Sequence, residues 1–437
     1  MDEGTLLWLI TGLTAVFFVV GVPIFLCIGV WTTLASLAIG FTISNIGITS
    51  YQGISSYALL AMPLFILTGD LIGAGGIAVK LSALAAAILR PIRGGMALAT
   101  IMTCSTFAAI SGSNSATVAT IGRIMIPEMQ KQGYNPAFAA ANAASGGIVG
   151  ILIPPSVLMV IYGFMTNLSV IDLFTAGWGP GLCVSLGLAG AALFSARKNK
   201  WGEVGPFVFK DVFKAFWGAK FGILAVFLIL FLIYGGYSSP TESAGVVAFY
   251  CLLAGMFLTR ELKLRDIPEV FLSSGRVNGM LAPVIAISIV LQQVFNIIGL
   301  HEGVYDLIHT FKAPSLMLLA MMAAIVFFGC IMESISVCII LSPIFAPIAV
   351  SMGMNPYHFA LTFIVGLSLG FVTPPFGLDL FVASGITGIP YGKIIKWIPP
   401  FLVGICLAWL AVAFIPAISL TLFKIVGGGG AAASSGF

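Results

Sequence analysis

Apolar stretches of about 20 residues, long enough to cross a ~30 Å hydrocarbon layer as a helix, recur along the whole chain between short polar clusters. They are continuous rather than alternating, which predicts helical spans and not barrel strands. The pattern places crossings near 137–166, 170–196, 221–237, 243–258 and 279–298. Two longer segments, 95–131 and 314–351, each fold back at a polar tip. Ile77–Arg90 and Gly303–Lys312 are too short or too polar to cross and predict arms along the interface. Over Val208–Trp217, the residues Val208, Phe209, Val212, Phe213, Phe216 and Trp217 form one stripe opposite Lys210, Asp211 and Lys214. That stripe predicts a separate amphipathic helix on the cytoplasmic surface.

The chain also repeats itself. Shifted by 220 positions without a gap, residues 102–180 bring Pro127, Gly133, Asn135, Pro136, Gly146, Gly150, Pro154, Pro155 and Pro180 onto Pro347, Gly353, Asn355, Pro356, Gly366, Gly370, Pro374, Pro375 and Pro400. Five crossings separate the two hairpins, and an odd number inverts the second copy. The expected fold is an all-α integral membrane protein built as an inverted repeat, with two re-entrant hairpins and two broken helices meeting near the bilayer centre.

Composition agrees. With 59% hydrophobic and 8% charged residues and a mean hydropathy of +1.12, a soluble globule of 437 residues could not cover its surface. The net charge of +4 reflects clusters between spans and is no nucleic-acid signal. With the N-terminus outside, nearly all Lys and Arg fall on the cytoplasmic side; Lys312 and Lys424 are the exceptions, and Arg123 lies inside the first hairpin. The seven cysteines lack CxxC or Cys/His spacing and read as small buried hydrophobes. No basic n-region or A-x-A site marks a removable signal peptide, and 427–437 reads as a linker. No phosphate loop is found, so ATP is not the expected energy source.

The chemistry gathers where the backbone breaks. The first tip is Ser111-Gly112-Ser113-Asn114-Ser115, with Thr117 following; hydroxyls, an amide oxygen and carbonyls are hard ligands suited to Na⁺. In Gly150-Ile151-Leu152-Ile153-Pro154-Pro155-Ser156, the prolines lack N–H groups, so the carbonyls of Gly150 and Ile153 lose their helical partners. A bound cation compensates for that in hydrocarbon. The second copy offers Glu333-Ser334-Ile335-Ser336 and Gly370-Phe371-Val372-Thr373-Pro374-Pro375, so two or more Na⁺ sites are expected. Small residues at such tips also serve plain helix packing. Asp70, Glu333 and Asp379 lie at membrane depth, where an acid costs roughly 2.5–3.5 kcal/mol and faces the interior. Asn114, Ser156, Glu333 and Asp379 are the candidate cargo contacts, Glu333 with a wet hairpin mouth and Asp70 with a capping or packing role as equal alternatives. Arg123 is the one basic side chain expected near the interior, and His301, His309 and His358 are expected in solvated loops.

On Ser111-Gly112-Ser113, Ile126–Met129, Gly133–Pro136, Leu152–Ser156, Ser239–Ala244 and Thr373–Gly377, the chain resembles the large membrane subunit of tripartite ATP-independent periplasmic (TRAP) transporters over about residues 5–424. The resemblance implies a Na⁺-driven elevator-type importer of an organic anion in a bacterial inner membrane, working with a periplasmic binding protein and a small four-helix membrane subunit. It implies a first Na⁺ site at Ser111, Ser113, Gly150, Ile153 and Pro155, and a second at Ser334, Ile335, Ser336, Gly370 and Thr373. Scaffold helices are then expected over 1–76 and 197–298, arms over 77–93 and 299–313, transport halves over 94–196 and 314–398, and a final helix over 399–426. Asp379 stands where an Asn is expected in many relatives, and its charge favours a polyhydroxylated monoanion such as sialic acid over a dianion. Arg123 also departs from the pattern, where a smaller residue is expected. Competing expectations are a stand-alone divalent-anion/Na⁺ symporter for C4-dicarboxylates and an intramembrane aspartyl protease using Asp70 and Asp379, though its Gly-x-Gly-Asp is not present.

Overall fold

The computed structural model describes residues 3–22, 24–299 and 314–425. The arm expected at 303–312, His301, His309, Lys312 and the tail at 427–437 lie outside the described residues. Within them every regular element is helical. Among the described residues, six helices are long and apolar enough to cross a membrane, or seven spans if one bent pair counts as a single crossing.

Both hairpins form where the polar tips predict them. Gly95–Ser111 turns into Asn114–Lys131, and Pro314–Ile331 turns into Ser334–Ser351. Both helix breaks follow. Pro136–Gly147 ends in one tight turn at Ile148–Ile151 and resumes as Val157–Thr166; Pro356–Gly370 resumes as Leu378–Thr387. Asn135 and Asn355 start these helices identically, each side chain accepting from two backbone N–H groups ahead of a first-turn proline, a cap that fixes the helix start. Each break carries a cis Pro-Pro bond, Pro154-Pro155 and Pro374-Pro375.

The two copies interlock. The leaving helix of the first hairpin, Asn114–Lys131, packs on Leu378–Thr387 of the second break, and Ser334–Ser351 packs on Val157–Thr166 of the first. Around them, Ala61–Ala74 packs on Pro240–Leu253 and Ile267–Ile297. Ile77–Leu89 packs on Phe209–Tyr234, with Ile77 and Leu81 seated where a Cβ at Gly222 would lie within 2.7 to 3.2 Å of them.

Five expectations are corrected. Val208–Trp217 is not a separate helix: Phe209–Tyr234 runs unbroken, since nothing between Trp217 and Phe221 stops a helix and a Cβ at Gly218 would meet nothing. Its 26 residues rise about 39 Å, beyond a ~30 Å core, so the charged stripe extends the span. The crossing expected from 279 begins at Ile267, with Pro268 in its first turn. The final helix breaks instead of running through, into Pro399–Phe414 and Pro416–Ile425 at 62°, because Pro416 drives Ile415 out of the helical region (φ −119°, ψ 86°). His358 is buried, not solvated: Nε2 lies 3.1 Å from the Ala413 carbonyl and Nδ1 3.4 Å from Ser419 Oγ. A carbonyl only accepts, so Nε2 donates and the ring bridges the bend. Arg123 is exposed, because Val118, Ile121, Gly122, Met125 and Met129 form the buried face of its helix.

Candidate functional site

At the first tip, Gly112 adopts φ +59° and presses against the first break. Its carbonyl accepts from Val157 N–H at 3.3 Å, and a Cβ there would lie 3.0 Å from the Pro155 oxygen. Ser111, fully buried, places Oγ 3.2 Å from Thr117 Oγ1, and Thr117 donates to the Ser113 carbonyl at 2.6 Å. A Cβ at Gly150 would sit 2.5 Å from that same carbonyl oxygen. Ser111, Ser113 and Thr117 thus gather hydroxyl and carbonyl oxygens where Gly150 packs against the tip, and oxygen donors of that kind suit a hard monovalent cation. Ile153 and Pro155 belong to the break that this tip contacts. Among the described residues, no group of three or more His, Cys, Asp or Glu is placed to hold a metal ion.

The second site is built differently. Gly370 meets the second hairpin at Gly329, where a Cβ would lie 2.4 Å from backbone. The Gly370 carbonyl accepts from Thr373 N–H at 3.2 Å, which leaves one lone pair, and Thr373 Oγ1 donates to the Leu369 carbonyl. Glu333 occupies the repeat position of Ser113 and caps its helix, accepting from Ile335 N–H at 2.9 Å and Ser336 N–H at 3.3 Å. Ser334 and Ser336 are buried beside it. Glu333 thus sets a carboxylate against the positive end of the second leaving helix, whereas Ser113 caps the first with a neutral hydroxyl that accepts from Ala116 N–H.

Between the tips lies a cavity of about 830 Å³, lined by Asp70, Ser111 to Ala116, Glu333 to Ser336 and the Val277–Val284 stretch of the long helix. No Lys, Arg or His is among its described lining residues. Asn114 and Glu333 line it; Ser156 and Asp379 do not. Ser156 is fully buried and donates to the Ile151 carbonyl at 2.8 Å while capping the next half-helix. It repairs the break directly. Asp379, also fully buried, accepts from Asn114 Nδ2 at 3.3 and 3.4 Å, joining the first tip to the second break across the repeat. Asp70 accepts from Ser274 Oγ at 2.6 Å. Asp70 and Asp379 therefore have separate partners, unlike the shared pair an aspartyl protease requires.

One contributor escaped the sequence. The Tyr391 hydroxyl lies 2.7 Å from the Pro375 carbonyl and 2.6 Å from that of Phe376, stacked on Phe381, and holds carbonyls of the second break. Its only advance signal was a tyrosine after Pro390 on an otherwise apolar stretch.

Paired hairpins and broken helices around a central cavity define a multi-span helical membrane transporter. The Alcanivorax borkumensis YdaH transporter has a similar fold, with a TM-score of 0.61 at 14% identity over 89% of each chain. The family model described as "Tripartite ATP-independent periplasmic transporter, DctM component" matches residues 11–418, and the chain belongs to that family: it is a TRAP transporter permease of the bacterial inner membrane, not an enzyme. It is 36% identical over 382 residues to the C4-dicarboxylate large permease DctM of Pseudomonas aeruginosa, covering 87% of this chain and 90% of that one. It is 35% identical over 412 residues to the isethionate permease DctMQ of Oleidesulfovibrio alaskensis, covering 94% of this chain but 65% of that longer protein. With the sialic acid large permease SiaM of Vibrio cholerae it shares 30% identity over 375 residues, 85% of this chain and 87% of that one.

Proposed function

We propose that this chain carries a small organic anion inward in symport with Na⁺, the interlocked repeats moving as one body. One observation carries the proposal: the cavity has two acids and no cationic side chain among its described lining residues, so an anion there needs bound cations. The oxygens of Ser111, Ser113, Thr117 and Gly150, and those of Ser334, Ile335, Ser336, Gly370 and Thr373, are the groups to hold them. Asn114 and Glu333 face the cargo. Residues 94–196 and 314–398 form the moving unit, and 1–76 with 197–298 the scaffold, in an elevator driven without ATP.

The named relatives carry isethionate, C4-dicarboxylates and sialic acid, which supports a carboxylate or sulfonate cargo. The expected preference for sialic acid rests on the charge of Asp379, which is bonded to Asn114 and does not line the cavity. A periplasmic binding protein and a small membrane subunit complete the system; the greater length of the DctMQ relative is consistent with a fused second component.

Uptake into proteoliposomes holding both membrane subunits and a binding protein, with the Na⁺ gradient and voltage varied independently, tests this. Uptake is expected to require Na⁺ and to fall roughly tenfold or more with Ser111→Ala or Thr373→Val, as losing a charged-group ligand warrants. Two Na⁺ with a monoanion would respond to voltage by about 2.3 kcal/mol per 100 mV, and with a dianion not at all. Uptake without Na⁺ sinks the proposal; Na⁺-driven uptake by this chain alone would instead favour the stand-alone symporter.

A further inference from the structure

Away from the central cavity, a groove of about 700 Å³ runs between Val170–Lys198 and Pro399–Phe414, lined by Cys183, Leu186, Phe194, Val403, Leu407 and neighbouring small residues. Its floor is a close approach of backbones. A Cβ at Gly187 would lie 2.5 Å from the Gly404 carbonyl oxygen, and one at Gly404 2.6 Å from that of Gly187. At Gly190, which also lines the groove, a Cβ would meet nothing within 4 Å. The groove is therefore open, and its lining carries no charge.

The helices run antiparallel: Cys183 lies against the Ala408 carbonyl, whereas Gly187 meets Gly404. The Phe194 end therefore adjoins the Pro399 end. There Trp201 and Trp397 meet edge-to-face with ring centres 5.1 Å apart, and Arg197, Lys198, Lys200, Lys393 and Lys396 are all exposed. None of the five is in an ion pair among the described residues. Lys198 Nζ lies 5.9 Å from the centre of the groove-lining Phe194 ring. From Cys183 to Phe194 the helix rises about 16 Å, close to one leaflet of a ~30 Å core.

An apolar channel one leaflet deep, ending at unpaired cations flanked by interfacial tryptophans, matches an anionic phospholipid from end to end. We infer that this groove is a binding site for an anionic phospholipid, one acyl chain lying along Gly190 and the phosphate held by Lys198 and Lys396. The charge selects the headgroup; the groove holds the chain.

Native mass spectrometry of the full chain, titrated with phosphatidylglycerol or phosphatidylcholine, tests this. Phosphatidylglycerol is expected to be retained at least about tenfold better. Lys198→Gln combined with Lys396→Gln should abolish that preference while leaving phosphatidylcholine retention unchanged. Gly190→Leu, which fills open space, should reduce retention of both lipids. Equal retention of the two lipids by the unaltered chain overturns the site, as does phosphatidylglycerol retention that Gly190→Leu leaves intact. Should Gly190→Leu weaken capture of the small membrane subunit and spare lipid retention, the groove belongs to that subunit and the inference fails. Melting temperatures of all variants separate these outcomes from misfolding.

Discussion

Gly370→Ala is expected to abolish Na⁺-dependent uptake, while Gly329→Ala, its partner in the same contact, leaves uptake within about twofold. The two glycines face each other but are not equivalent. A Cβ at Gly370 would sit 2.4 to 2.8 Å from Gly329 backbone atoms, whereas one at Gly329 would find nothing closer than 3.6 Å. Backbone cannot rotate aside as a side chain does, so the alanine must push the second break away from its hairpin, at about 1–3 kcal/mol for overpacking. Gly150→Ala repeats the experiment in the first copy, where the methyl would lie 2.5 Å from the Ser113 carbonyl oxygen. Uptake and melting temperature of the three variants check this. Equal tolerance at Gly370 and Gly329 would show that close contact between hairpin and break is not what the protein uses.

The second large effect belongs to Asp379. Asp379→Ala leaves the Asn114 amide buried without its acceptor, a loss of about 1–3 kcal/mol, and cuts the side-chain link between the first tip and the second break. Lower thermal stability and a severe loss of uptake are expected together. Asp379→Asn keeps an oxygen to accept from Asn114 and removes the charge. It should hold the melting temperature and raise the Na⁺ concentration for half-maximal uptake by roughly tenfold, because a unit of charge near a cation acts strongly at protein dielectric. If the alanine variant matches the unaltered protein in both readouts, the Asn114 contact has no part in holding the two copies together.

Much of this architecture is legible in the sequence because glycine, proline and polar tips interrupt apolar runs at membrane depth, where an interruption has few explanations. Ser111 to Ser115, Glu333 to Ser336 and both Pro-Pro breaks stand where the pattern puts them. What does not show is pairing across the fold. Asn114 and Asp379 are 265 positions apart, and no local periodicity says that one tip faces the other copy's half-helix. His358 failed for a related reason. It reads as a solvated loop histidine, but it stands in the first turn of Pro356–Gly370, which packs against the bend at Ile415, where a freed carbonyl needs a donor. Phe209–Tyr234 shows the limit of amphipathic stripes: a stripe that ends in a span without a breaker simply continues it.

The same physics links these elements to transport. Each hairpin packs against its break through a glycine, Gly112 on Pro155 and Gly329 on Gly370, and the cavity between the tips offers an anion no positive side chain among its described lining residues. Helix ends and cations must supply the field, and the two copies supply it unequally, Ser113 in one and Glu333 in the other.

Equilibrium ²²Na⁺ binding to the purified chain, read beside Ser111→Ala and Thr373→Val, decides whether the two breaks hold cations. Saturable binding of at least two Na⁺ per chain that K⁺ does not displace is expected, with each substitution removing about one. Binding of none, or occupancy untouched by both substitutions, would contradict it.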